Sequence, residues 1–324
     1  LAAGRLGAGL RIAVSGGLML LLLGWLVDLR AAGQALAGAH WGPFAWLALW
    51  ITADRWLMSY KWRLLLTCRG LEVGSWEAFR AYYVASFAGC FLPSTVGADA
   101  MRVAAVSGPA RPSAAVAASV VVERALGFLA AALAALLALF LLAGLARELP
   151  PGVMAWSLGL LAAAMLAVAA TLMGPLAAWL EGLAARWEGR RKVVSWLGRF
   201  LAAYGLYRRH KGVLLWFLFL SLLEQSVPVV GTWLAALALD IPLTLLEAAA
   251  VAPVALLFTR IPVSLSGFGV VEGLYVAFFS LVGLTATHSF LLGLVANLSV
   301  LVATLPGALF YARGGFRSPP PPGA

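Results

Sequence analysis

Charge is what this chain has least of. Asp, Glu, Lys and Arg make up 11% of its residues, against about 25% in a soluble domain. With 63% hydrophobic residues, that scarcity excludes a water-soluble globular protein. Ten-residue stretches of alternating apolar and polar positions are missing too, which argues against a membrane β-barrel. No polar stretch is long enough for a separate folded domain. The two cysteines, Cys68 and Cys90, do not suggest a disulfide framework, because Cys68 falls in a basic loop expected in the cytoplasm. The three histidines, His40, His210 and His288, are scattered and no HExxH-type spacing occurs, so no metal and no other cofactor is expected. Nucleic-acid motifs are also lacking. The net charge of +10 is then read as cytoplasmic loops and contact with anionic lipid, not nucleic-acid binding.

What is present is a series of long apolar runs, so the chain reads as an all-α multi-pass membrane protein. Six runs are long enough to span: about 11–29, 43–66, 113–145, 153–173, 212–239 and 287–311. Arg5 and Arg11 before the first run resemble a signal peptide, with Ala35-Leu36-Ala37 as a cleavage site. We read the run as a retained span, because the repeat described below needs it. Between 176 and 204, apolar residues at helical spacing alternate with arginines such as Arg186, Arg190 and Arg191. That is the pattern of an amphipathic segment lying on an anionic leaflet, or simply of a topology anchor. The end, 313–324, with four consecutive prolines, has the composition of a disordered tail.

Two apolar segments are broken. The first contains Phe91-Leu92-Pro93-Ser94-Thr95-Val96-Gly97-Ala98-Asp99-Ala100-Met101-Arg102. The second contains Ile261-Pro262-Val263-Ser264-Leu265-Ser266-Gly267-Phe268-Gly269-Val270-Val271-Glu272-Gly273. Proline and glycine interrupt a helix, and broken backbone at membrane depth survives only inside protein or beside a wet cavity. A pair of interrupted segments in corresponding places marks a transporter site.

Charge sets the topology. If the first broken unit crossed the membrane once, the basic 181–211 segment would face outward, against the positive-inside rule. The unit is therefore expected to enter from the cytoplasm, turn at Pro93–Gly97 and return. The second unit is a re-entrant hairpin or two short crossings, which charge cannot separate. The expected plan is one integral domain of two inverted repeats, about 10–149 and 150–312. Each would run span, span, broken re-entrant hairpin, span, with both termini cytoplasmic. The two tips would meet at a central polar cavity.

The candidate site residues follow from this plan. Asp99 and Arg102 are three apart on the short helix expected after Gly97, so they share a face. The helix start near Thr95 and Gly97 offers N–H groups to an anion. Arg102 either grips a lipid phosphate, oriented by Asp99, or pins the hairpin. Glu123 and Arg124 lie about three turns into a span and point to different partners; they either wall a headgroup cavity or bridge to Asp99 and Arg102. Glu272 follows the second break, with Ser264, Gly267 and Gly269 in the turn before it. It either counters an arginine, carries a proton or answers the helix dipole, and Arg260 is a candidate partner. Two polar stripes add Arg55, Glu224 and Gln225 as secondary cavity residues, their hydroxyl neighbours serving helix packing.

Pro93-x-x-x-Gly97-x-Asp99-x-x-Arg102, Glu123-Arg124 and Pro262-x-Ser264-x-x-Gly267-x-Gly269-x-x-Glu272 together resemble the lysylphosphatidylglycerol synthase transmembrane family, also called the flippase-like domain family. The resemblance runs over essentially the whole chain. It departs where the family usually has Gly-Gly-Asp and this chain has Gly97-Ala98-Asp99. The resemblance implies translocation of a phospholipid or a polyprenyl-linked glycolipid across a prokaryotic inner membrane. The transferase domain of fused members is absent, so lipid aminoacylation is not implied. The expected partners are membrane lipids with an anionic or zwitterionic headgroup, and a lipid-modifying enzyme is a candidate protein partner. The rival functions are an intramembrane transferase with a polyprenyl-phosphate donor and Asp99 or Glu272 as base, and a non-catalytic partner of a lipid-modifying enzyme.

Overall fold

The computed structural model describes residues 15–91, 95–145, 205–259 and 267–313, with isolated positions between 152 and 203. Every regular element among them is helical, apart from a single bridge between Gly108 and Arg111. The first helices are α1 (Ser15–Leu26), α2 (Leu29–Ala37) and α3 (Trp41–Thr67). The first broken hairpin is α4 (Ser75–Phe91) and α5 (Thr95–Val106), followed by α6 (Ser113–Leu145). After the basic region come α7 (Lys211–Glu224) and α8 (Ser226–Ala238). The second broken hairpin is α9 (Leu245–Phe258) and α10 (Val270–Phe279), and α11 (Ala286–Ala312) closes the described chain.

Among the described residues, three stretches are long and apolar enough to cross a membrane: Ser113–Leu145, Lys211–Ala238 and Ala286–Ala312; α1 with α2 makes a fourth if that bent pair is one span. The helix α3 has 27 residues, about 40 Å of helix, but carries Asp54, Arg55, Lys61 and Arg63. The expected run 153–173 and the amphipathic region 176–204 fall almost wholly outside the described residues, and the tail from Gly314 onward falls wholly outside them.

The helix ends have local causes. The expected first span bends by 95° after Leu26, because Leu22–Leu26 winds as a wide π-turn and Val27 is extended. Asp28 then starts α2, its Oδ1 accepting from the N–H groups of Arg30 at 2.9 Å and Ala31 at 3.1 Å. The run expected at 212–239 is interrupted at Gln225. Pro228, four residues past Glu224, has no N–H to give the Glu224 carbonyl. At α9 the Thr244 hydroxyl accepts from Glu247 N–H while Glu247 accepts from Thr244 N–H.

The chain forms two compact units. One comprises Leu1–Asp54, Ala131–Gly159 and Leu222–Ala303. It contains the second hairpin, and its core includes Leu139, Leu142, Tyr275, Phe279, Leu291 and Leu292. The Gly267–Gly269 turn is left-handed at both ends, with φ of 87° and 80°, which glycine adopts without strain.

The other unit comprises Arg55–Ala130, Leu160–Ser221 and Thr304–Ala324. It contains the first hairpin, whose arms pack tightly: a Cβ on Gly89 would lie 2.9 Å from the Ala98 Cβ. Gly307 of α11 sits against the Tyr83 carbonyl on α4, the close helix approach that small residues permit. Trp56, Trp76, Phe79, Tyr83 and Phe310 stack beside it, and Trp62, Leu66, Tyr82 and Val120 form a core on the other face.

Candidate functional site

The helix after the first break starts at Thr95, two residues earlier than expected, so Gly97 is already helical. Thr95 thus belongs to the first turn of α5. That start places Asp99 and Arg102 on the face of α5 that meets Glu123 and Arg124 of α6, and the four charges form one cluster.

Its buried end is Arg102, whose side chain is only 4% exposed. Arg102 Nη1 donates to Glu123 Oε1 at 3.0 Å, and Nη2 lies 2.8 Å from Glu123 Oε2. The first contact is a charge-assisted hydrogen bond, while the second is an ion pair by distance only, because Glu123 Oε2 has no hydrogen-bond partner among the described residues. The guanidinium also lies over the rings of Trp62 and Tyr82, at 4.6 and 4.7 Å. Tyr82 donates its hydroxyl to Glu123 Oε1 at 3.1 Å, and Trp62 donates its ring N–H to Ser119.

The open end is Arg124, with a side chain 49% exposed. Its Nε and Nη2 each donate to Asp99 at 3.0 Å, the two-pronged geometry in which Arg–carboxylate pairs are strongest. Asp99 also accepts from Arg102, at a longer 3.4 Å. Adjacent Glu123 and Arg124 do serve different partners, as the 100° step between helix neighbours requires. The i,i+3 pair expected within α5 is the weakest link, and the pairs between helices carry the cluster. Glu123 lies ten residues into α6, roughly 15 Å along it, about half the hydrocarbon thickness of a bilayer.

In the other unit Glu272 is fully buried near the start of α10. Its carboxylate accepts from Gly269 N–H at 2.7 Å and from Asn297 Nδ2 at 2.9 Å. Of the secondary candidates, Arg55 is a half-buried residue of α3, Glu224 ends α7, and Gln225 is the turn between α7 and α8. Arg260 and Ser264 lie outside the described residues, as does the Thr95 side chain. In the polar stripes, Thr52 and Ser59 donate back to carbonyls of their own helix. Buried Lys61 instead donates to Ser221 and lies over the Phe217 ring.

Sequence reasoning missed Tyr82, Trp62 and Asn297. Asn297 had a usable signal, being an amide inside an apolar run. Cys68 is no reactive nucleophile: burial pushes its thiol up to about 11 and its Sγ donates to the Leu65 carbonyl. No group of side chains suited to hold a metal occurs among the described residues.

Comparison with known proteins gives one family. The pattern described as "Lysylphosphatidylglycerol synthase TM region" matches residues 9–307, which include both broken hairpins and the four-charge cluster. No curated protein and no solved structure gives a significant match. The chain belongs to the lysylphosphatidylglycerol synthase transmembrane-region family, a membrane domain of lipid-related proteins.

Proposed function

We propose that this protein moves a lipid with a phosphate-bearing headgroup, anionic or zwitterionic, between leaflets of a prokaryotic inner membrane. The observation that carries the proposal is the exposure gradient across the four-charge cluster. Arg102 is buried, its Nη1 donating to Glu123 and its Nη2 to Asp99. Arg124 holds Asp99 through Nε and Nη2, and its Nη1 has no hydrogen-bond partner among the described residues. Arg124, in place of Arg102, is then the cation that meets a phosphate. Asp99 keeps lone pairs for the amine of a zwitterionic headgroup, and Arg102 with Glu123 is the rigid floor beneath them.

The headgroup site in this proposal comprises Asp99, Arg102, Glu123 and Arg124 with the helix start at Thr95 and Gly97. The route is the polar cavity of an inverted-repeat domain, six spans and two re-entrant hairpins, with both termini cytoplasmic. Ser264, Gly267 and Glu272 belong to its second hairpin. Membership of a lipid-related family and an ionised cluster on a broken helix at membrane depth support it. Asp99 is clasped by two arginines, which suits binding better than proton abstraction.

The test is a leaflet-resolved assay in liposomes over anionic, zwitterionic and polyprenyl-phosphate lipids. Arg124→Ala should slow translocation about tenfold or more, the size of one lost charge-assisted hydrogen bond, with an unchanged gel-filtration profile. Arg124→Lys should fall between, since it keeps the charge but loses the planar fork. A wild-type protein that moves none of these lipids overturns the proposal, and a lipid chemically converted during the assay favours the transferase.

A further inference from the structure

Asp99 and Arg102 of the first hairpin are paired with each other and with Arg124 and Glu123 of α6, but the second hairpin holds a carboxylate of another kind. Glu272 is 0% exposed, and among the described residues its carboxylate has two partners, both neutral N–H donors: Gly269 N–H on Oε2 and Asn297 Nδ2 on Oε1. No Lys, Arg or His among the described residues forms an ion pair with it.

Two elements pack closely against the backbone around Glu272. On α11, a Cβ at Gly293 would lie 2.8 Å from the Glu272 Cα. On α1, a Cβ at Gly269 would lie 2.8 Å from Leu18 Cβ and 3.0 Å from the Ser15 carbonyl. The α1 residues Ser15, Leu18 and Met19 lie against Gly269, and on α11 Gly293 lies against the Glu272 backbone while Asn297 meets its carboxylate. None of these is charged, and the one charged residue of α9, which also packs on α10, is Glu247 in its first turn. On α10 itself the titratable neighbour is Tyr275, whose hydroxyl is hydrogen-bonded to Thr232 of α8 at 3.0 Å.

A carboxylate in such a place feels opposed forces. Removal from water opposes the charge, with no counter-cation among the described residues, and the two N–H donors support it. Adding a proton to Oε1 creates an O–H that needs an acceptor. The group already facing Oε1 is the Asn297 amide, and half a turn of that amide presents Oδ1 in place of Nδ2. Oδ1 now lies against the left-handed turn, 3.2 Å from where a Gly267 Cβ would sit. Taking up a proton therefore changes the contact that α11 makes with the Gly267–Gly269 turn, the point where the second hairpin resumes its helix.

We propose that Glu272 and Asn297 form a proton-carrying switch that couples movement of the second broken hairpin to a transmembrane proton gradient. One proton binds Glu272 from one side, the charge goes from −1 to neutral, the amide turns, and the proton leaves to the other side with the amide restored. This rests on the translocation proposal and supplies its energy source.

Two measurements test it. Infrared difference spectra of the detergent-purified protein over a pH series should contain a protonated-carboxyl band that rises and falls with pH. The band should be missing in Glu272→Gln and displaced in Asn297→Ala, which keeps Glu272 but removes its acceptor. If wild type and Glu272→Gln give the same spectra, Glu272 carries no proton and the switch is wrong.

The second measurement uses liposomes with an imposed pH difference, monitored for lipid movement and for internal pH with a trapped dye. Wild type should translocate severalfold faster under one polarity than the other and move protons with the lipid. Glu272→Gln, whose amide oxygen still accepts from Gly269 N–H, should translocate at a rate indifferent to polarity and move no protons. Wild-type translocation that ignores the gradient overturns the coupling and leaves the translocation proposal standing. A wild type that moves no lipid under either polarity overturns both.

Discussion

At the residue scale the cluster separates a structural arginine from a working one. Arg102, lying over Trp62 and Tyr82 and ion-paired with Glu123, is expected to serve stability. Arg102→Met would strand the Glu123 carboxylate, and breaking a buried pair costs about 3 kcal/mol or more. Removing both charges, in Arg102→Met with Glu123→Gln, should return most of that stability and, with Arg124 intact, most of the translocation. Thermal unfolding in detergent beside the liposome assay checks both. If stability returns but translocation does not, Arg102 itself meets the lipid. The motif Asp99-x-x-Arg102 and the pair Glu123-Arg124 were legible as charges that could bridge to each other, but which arginine meets which carboxylate was not. Helix spacing sees only partners three or four residues away, whereas Arg102–Glu123 and Asp99–Arg124 lie 21 and 25 residues apart.

At the element scale the glycines separate packing from conformation. Gly293 meets the Glu272 backbone, with the Cα at 2.8 Å and the N at 3.2 Å from an added Cβ. Gly293→Val therefore forces α11 off α10 and should cost about 2 kcal/mol or more, as overpacking does. Gly127 on α6 has nothing within 4 Å, so Gly127→Ala should gain up to about 1 kcal/mol of helix propensity. Unfolding midpoints should move in opposite directions; a shift of the same sign and size for both would reject this packing. The breaks themselves were readable from Pro93 and from Gly267-x-Gly269. The bend after Leu26 was not, because it comes from a π-turn and an Asp28 cap inside a run that composition reads as one span.

At the scale of the whole molecule, the proposed topology is open to a direct test. In a chain free of native cysteines, Arg190→Cys should react only with reagent from the cytoplasmic side, and Arg147→Cys only from outside. The orientation follows from the excess of Arg in 181–211, since positively charged loops are retained inside. Labelling of position 190 from outside would overturn both the orientation and the inverted-repeat plan that depends on it.

Sequence alone determined that this is a helical membrane protein, that two of its segments are broken, and that ionised residues lie beside the first break. Those properties are local. They depend on how many apolar residues occur in a row and on where proline, glycine and charge interrupt them, and water and lipid impose them on any chain. Tertiary structure alone decided which arginine is buried and which is open, and that Glu272 faces Asn297 and no cation among the described residues. Those outcomes depend on which helix faces lie against each other, where partners distant in the chain compete for the same oxygen atoms. No window of sequence contains both competitors.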